Sequence, residues 1–522
     1  MKIILPCNWF VLTLLVSGPL LTVAQNPWVY DAPVSSMQQP AHGDKNFFLD
    51  TMILFTQLKE GGAIPIPVDE DEYIHIKFKP CSNFSPDLAR RYNGIRTICG
   101  QNKGSTVNMD IVNSKIHVFI IHHGMAYFIE PDPIIARLYH LSTSDNSSHS
   151  DERFSCSTES KLTSLPSVIE DPFRSTPLQK TGMRTYRMAL AVTGEFARNH
   201  GSTVEAVMTS LNSHLSRINT IYRIEHGIQF QLVPNNDTLI FMNPESDPYT
   251  NGNVSAMIDQ NPKVLNDRIG LNNYDIGHVF GTNAGGVAQL GSACGAFKGA
   301  GVSCTFGPYT GLQFYLIPCH EIGHQFSATH TFNFCDNENE TSSSAFEPGS
   351  GSTIMSYAGA SNCGANYVQG ISDPYFHTFS VQQVRQYSRS GIGSLCGIEV
   401  ITSNDQPLPM VNVPNNLTIP ILTPFELEGT AIDNTENTLT YTWEEMDLGQ
   451  KSPLGSPSGT APLFRSIPPD TFSTRVFPKL SSILTNQATV TEVLPFGTRP
   501  LNFRLTVRDN DVAGGGIQWS DL

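Results

Sequence analysis

Apolar and polar positions follow three rhythms along the chain. Between residues 27 and 175, short apolar runs such as 73–78 and 116–121 alternate with polar loops and predict short strands. Residues 142–160, rich in Ser, Asn and Asp, predict an exposed loop or linker. From Arg184 the rhythm lengthens. Residues 186–193 predict a strand, 202–222 a long amphipathic helix and 228–233 another strand, an order that suits a parallel or mixed sheet. Residues 274–280 add a strand, followed by a glycine-rich section and a helix that must carry Pro318 in its first turn or at a kink. Past Cys396 the runs shorten again. Residues 411–421, 439–443, 475–477 and 501–507 predict strands parted by Pro, Asn and Gly turns, as in a small Ig-like β-sandwich, here expected to be cut short or to lack its final strand.

Composition narrows the setting. Residues 1–24 combine Lys2, an apolar run broken by Gly18 and Pro19, and small residues up to Ala24, which predicts a secretory signal peptide and a secreted, extracellular chain. No later stretch is long and apolar enough for a membrane span. A length of 522 residues predicts two or three domains. The formal charge of −15 leaves no basic stripe for nucleic acid. Sequons at Asn83, Asn146, Asn236, Asn253, Asn339 and Asn416 are compatible with a glycoprotein. The ten cysteines fall to nine once Cys7 leaves, so export predicts disulfides and one thiol without an internal partner.

The chemistry concentrates in residues 320–330, which read His-Glu-Ile-Gly-His-Gln-Phe-Ser-Ala-Thr-His. On a helix, His320 and His324 stand one turn apart on the same face, roughly 5.4 Å along the axis. His330 completes a three-imidazole set for one Zn2+ ion if the helix stops and the chain turns back. Such an ion keeps an open position for water, whose pKa falls to about 7, and Glu321 stands beside it to take the proton and return it to a leaving amine. That trio suffices for peptide hydrolysis. Cys319 points about 100° away around the helix and reads as structural, as do His278 and His377.

Ser352-Thr353-Ile354-Met355-Ser356-Tyr357 follows His330 at a distance that resembles the metzincins, whose zinc helix is followed by a turn with a methionine beneath the metal. Residues 186–194, 273–280, 320–332, 349–359 and 373–377 together resemble the reprolysin-type (adamalysin-like) metallopeptidases. The resemblance implies an α/β (α+β) domain with a mixed five-stranded sheet, an edge strand near 285–290 that pairs with extended polypeptide substrate, Met355 as the residue under the imidazoles, and Tyr357 as a candidate oxyanion stabiliser. It also makes Cys99 a candidate zymogen thiol, with a Cys81–Cys99 disulfide as the other reading. Ser327, where the family usually has glycine, and Pro318 close to His320 depart from the pattern.

The division that follows is signal peptide 1–24, propeptide 25–180 covering the cleft until a cut near Lys180 or Arg184, catalytic domain 184–397 and β-sandwich 400–522. The function expected is a zinc metalloendopeptidase made as a zymogen. The alternative is an inactive metzincin-like adhesion protein that contacts extracellular protein or glycan through its β-sandwich.

Overall fold

The computed structural model describes residues 25–31, 45–102, 104–144, 182–305, 312–335, 339–400, 409–433 and 437–522. The proposed signal peptide, Asn146, Cys156 and Lys180 lie outside them, as does nearly all of the predicted linker.

The central sheet is built on the strand Met183–Val192, whose residues from Met188 to Val192 are all fully buried. Strand order is Ile228–Leu232, Met183–Val192, Ile276–Thr282, Gly301–Thr305, Gly286–Ala288. The first four run parallel and the last antiparallel, so the sheet is mixed and five-stranded as expected. A sixth strand not foreseen, Ile398–Val400, pairs antiparallel with Met183–Thr185 and returns the chain to where the domain began. Arg184 therefore stands inside a paired strand, 9% exposed, donating to the carbonyls of Ser394 and Cys396. A processing cut directly at Arg184 would have to open that strand.

The long helix Val204–His226 starts where the Thr203 hydroxyl accepts from the Ala206 amide and ends at Gly227, held at φ 62°. Its pattern predicts one solvent-facing side. Instead every residue from His214 to His226 is buried. The polar side is covered from two directions by the chain's terminal thirds.

The N-terminal third is an eight-stranded antiparallel sheet running from Lys79–Pro80 through Ile95–Asn102, Ser105–Val112, Lys115–His122, Met125–Pro131, Leu138–Thr143 and Lys45–Leu49 to Trp28–Tyr30. Phe84, Leu88, Ile95, Phe119 and Phe128 from this third belong to the same apolar cluster as Tyr186, Ile218 and Phe326 of the central domain. The C-terminal third holds a three-stranded antiparallel sheet, Thr440–Glu445, Phe503–Arg508 and Ile517–Asp521, with two-stranded pairs Met410–Asn412 with Thr430–Ile432 and Phe425–Glu428 with Thr474–Phe477. In Phe503–Arg508, Phe503, Leu505 and Val507 face a local apolar cluster. The alternate residues Arg504, Thr506 and Arg508 face the central domain and are equally buried.

Candidate metal centre

The site begins with the helix Leu316–Gln325. Pro318 falls in its first turn, where its missing N–H costs nothing because first-turn amides have no partner inside the helix. The helix stops in a Schellman turn: the Ala328 amide donates to Gly323 O at 2.9 Å and the Ser327 amide to His324 O at 2.8 Å. Ser327 takes φ 73°, the left-handed conformation that favours glycine, at a cost of about 1 kcal/mol. The turn is thus made without glycine, and it carries His330 back over the helix.

Three buried imidazoles result. Each Nδ1 faces a carbonyl: His320 to Ile354 O at 2.7 Å, His324 to Ala328 O at 2.8 Å and His330 to Asn339 O at 2.7 Å. A carbonyl only accepts, so each Nδ1 bears the proton and each Nε2 presents a lone pair. The Nε2 atoms form a triangle of 3.0, 3.2 and 3.2 Å. Metal–nitrogen bonds of about 2.0–2.1 Å at a tetrahedral ion put ligand nitrogens about 3.3–3.4 Å apart, so the set fits one zinc ion. Among the described residues these three histidines form the group able to hold a metal. Burial holds all three imidazoles neutral, the ligating form, with His324 lowered to about 4 and His320 and His330 well below their ordinary value.

Glu321 is fully buried next to the edge strand Gly286–Ala288. A Cβ at position 286 would sit 2.1 Å from Glu321 Oε1, so only glycine lets the carboxylate lie there. Gly323 has the matching role below: a Cβ there would approach Met355 Sδ to 2.5 Å. Met355 packs directly under the helix, and the Thr331 amide donates to its carbonyl at 3.1 Å. Both glycines fall inside stretches singled out from the sequence, but their contacts depend on segments distant in the chain.

Tyr357 lies fully buried, edge-on to His330 with ring centroids 4.9 Å apart and stacked on Phe332 at 4.2 Å. Its hydroxyl accepts from Asn339 Nδ2 at 2.8 Å, and Asn339 O in turn receives the His330 proton. Asn339 is thereby a part of the site as well as a sequon. Asn83 and Asn236 are 1% and 0% exposed, with both amides donating internally, so neither can carry a glycan in this fold. Asn253 and Asn416 are exposed.

Cys99 is not a zymogen thiol. It is joined to Cys81 in a disulfide, and a paired sulfur has no thiolate to offer a metal. Cys294–Cys396 and Cys335–Cys363 are also paired, while Cys304 and Cys319 are free and buried. Burial pushes the Cys319 thiol well up, as a structural residue requires. His377 caps the helix Thr378–Arg389 through its Nδ1 and stacks on Phe346.

His278 ties the site helix to the sheet through Gln325 Oε1 at 3.0 Å and Ser303 Oγ at 2.9 Å. Burial lowers its pKa from 6.5 to about 4, worth about 3 kcal/mol. In the unfolded chain the ring takes a proton near pH 6.5 while the folded ring refuses it, so that stability is whole above pH 6.5 and lost as pH falls through 4. Urea midpoints at pH 7.5 and pH 4.5 are expected to differ less in His278→Asn than in the unsubstituted protein; equal differences would remove His278 from this account.

One residue at the site was not read from the sequence. Glu347, 1% exposed, accepts from Thr331 Oγ1 at 2.6 Å, Thr353 Oγ1 at 2.5 Å, Ser352 N at 2.7 Å, Ser352 Oγ at 3.1 Å and Thr353 N at 3.2 Å. A single carboxylate thus clamps the residue after His330 to the loop that leads into Met355. Glu347→Gln replaces one accepting oxygen by a donor facing other donors. It is expected to weaken zinc binding about 10–100-fold in chelator competition, and an unchanged affinity would show the clamp to be irrelevant to the ligands.

A family model described as Metallo-peptidase family M12B Reprolysin-like matches residues 182–387, which contain all three imidazoles and Glu321. Over these residues the chain is similar to the reprolysin-like metallopeptidases. The match ends inside the helix Thr378–Arg389, so the strand Ile398–Val400 that joins the central sheet lies beyond it. A search of curated proteins finds no match. Among solved structures the chain is similar to the metalloproteinase-II of Bacteroides fragilis, at 13% identity over 63% of this chain and 93% of that one, with a TM-score of 0.34. The assignment rests on the family match and the histidine site. The match and the histidine site support a peptide hydrolase. No helix among the described residues is long and apolar enough to cross a membrane.

Proposed function

We propose that the chain is a secreted zinc endopeptidase, made in latent form with residues 25–180 as its N-terminal segment and activated by a cut ahead of the strand Met183–Val192. The observation that carries the reading is the convergence of three neutral Nε2 atoms within 3.2 Å, with Glu321 against the terminal strand of the sheet.

Extended polypeptide would add to the strand Gly286–Ala288, which ends the sheet order. That placement sets a scissile carbonyl between the strand and the site helix. His320, His324 and His330 would hold a zinc ion, which when bound would supply a positive centre that polarises the carbonyl and acidifies water. Glu321 accepts the proton of the attacking water and delivers it to the departing amine nitrogen. Ile354 O, Ala328 O and Asn339 O hold the imidazoles in the ligating tautomer throughout. Tyr357 walls the His330 side, and its role toward the developing oxyanion stays part of the proposal.

Digestion of a peptide library by the processed protein tests the reading. Cleavage should stop with a zinc chelator and return when zinc is restored. Hydrolysis indifferent to chelation would end it.

A further inference from the structure

The N-terminal third is bound to the metallopeptidase domain in a way that a detachable cover would not need. Asn83 sits at the centre of the joint. Its carbonyl accepts from the Leu232 amide at 2.8 Å, and the Ser85 amide returns a bond to Leu232 O at 3.1 Å, so residues 83–85 prolong the central sheet at the edge opposite the strand Gly286–Ala288. The Asn83 side chain donates to Ser216 Oγ at 2.7 Å and accepts from Asn219 Nδ2 at 2.8 Å, both on the long helix.

Charged groups are buried in the same face. Asp110 accepts from Asn212 Nδ2 at 2.8 Å and Ser216 Oγ at 2.6 Å. Arg217 pairs with Glu130 at 2.7 Å, and Glu130 also holds His117. Arg223 donates to Cys81 O at 3.2 Å, and burial lowers its pKa to about 10. Phe119 and Phe128 lie against Tyr315, the residue at the start of the site helix, with ring centroids 5.1 and 6.1 Å apart. The C-terminal third closes the joint from the other side, where Gln101 bonds Asn437 and accepts from the Val512 amide.

Removing this third would uncover Phe84, Leu88, Ile95, Phe119 and Phe128 together with the apolar residues they cover, and break the sheet extension at Leu232. We infer that, resting on the reading of a processed protease, the N-terminal third stays bound after the chain is cut and serves as a permanent subunit that supports the site helix. Activation is then a cut in the chain without loss of a domain.

The test uses the full chain carrying a site-specific protease recognition sequence placed between residues 145 and 181, cut after folding and passed over a sizing column. The two fragments are expected to co-elute in equal amounts. An N-terminal fragment eluting alone overturns the inference. In Arg217→Glu, which sets a carboxylate against Glu130, the fragments are expected to dissociate at least about tenfold more readily; dissociation unchanged in this variant would remove the charged joint from the account. Peptide hydrolysis by the cut material is measured separately. Co-elution without hydrolysis would sink the protease reading alone, and hydrolysis by a separated C-terminal fragment would sink the retained subunit alone.

Discussion

Glu321→Ala is expected to lower kcat/KM for a good peptide substrate by about 10²–10⁴-fold, while zinc content and thermal midpoint stay close to those of the unsubstituted protein. The size follows from what the residue does. It is not one of the three groups whose nitrogens converge, so the metal keeps its ligands. It is the carboxylate held against Gly286, where a side-chain Cβ would collide with it. In the proposed mechanism its removal leaves the attacking water without a base and the leaving amine without an acid. Steady-state kinetics with metal analysis on the same sample separates this outcome from its rival: a variant that loses zinc along with activity would show Glu321 to be holding the site together instead of moving protons.

Arg508→Ala is expected to cost about 3–5 kcal/mol of stability, because it leaves the buried Glu225 without its partner. The Arg508 guanidinium meets Glu225 in a two-pronged contact, Nε to Oε1 at 2.8 Å and Nη2 to Oε2 at 3.0 Å, with both side chains at 2% exposure or less. Burial alone would lower the Arg508 pKa, but the Glu225 charge outweighs it and the net direction is up. Around the pair, Thr506 bonds Thr378, Arg504 bonds Gln382, and Arg385 donates to Gly515 O. The C-terminal third is therefore expected to unfold with the metallopeptidase domain. Urea denaturation followed by tryptophan fluorescence in a Trp28→Phe background, where Trp443 and Trp519 carry the signal of the folded thirds, should coincide with the loss of peptide hydrolysis, and both should shift together in Arg508→Ala. Two separated transitions would show that the C-terminal third is an independent unit.

The histidines, Glu321 and Met355 were legible in the sequence because metal ligation imposes short, local spacings: two imidazoles a turn apart, a third after a helix stop, a methionine in the loop that follows. The central strand was legible for a similar reason, since its run from Met188 to Val192, buried on both faces, is unbroken and apolar. Glu347 had no such signal. An acid in a Ser- and Gly-rich loop reads as solvated, and only the fold brings Thr331, Ser352 and Thr353 around it. Cys99 had two readings, with the disulfide to Cys81 the favoured one, and the pairing of Lys79–Pro80 with the strand carrying Cys99 decided for it by setting the Cα atoms of Cys81 and Cys99 5.9 Å apart.

The long helix Val204–His226 shows where that boundary lies. Its start, end and apolar stripe follow from Thr203, Gly227 and a period of 3.6 residues, all contained within the segment. The fate of its other face does not. Asn212, Ser216, Arg217, Asn219, Arg223 and Glu225 are the residues of a solvent-facing side by every local measure, and they are buried because Asn83, Asp110, Glu130 and Cys81 arrive from one end of the chain and Arg508 from the other. The sequence by itself determined the three histidines, Glu321 beside them and three of the central strands, since each depends on neighbours a few residues away. Only the tertiary structure decided which polar groups are buried, because a polar group can leave water only where its partner is waiting, and these partners lie far away in the chain.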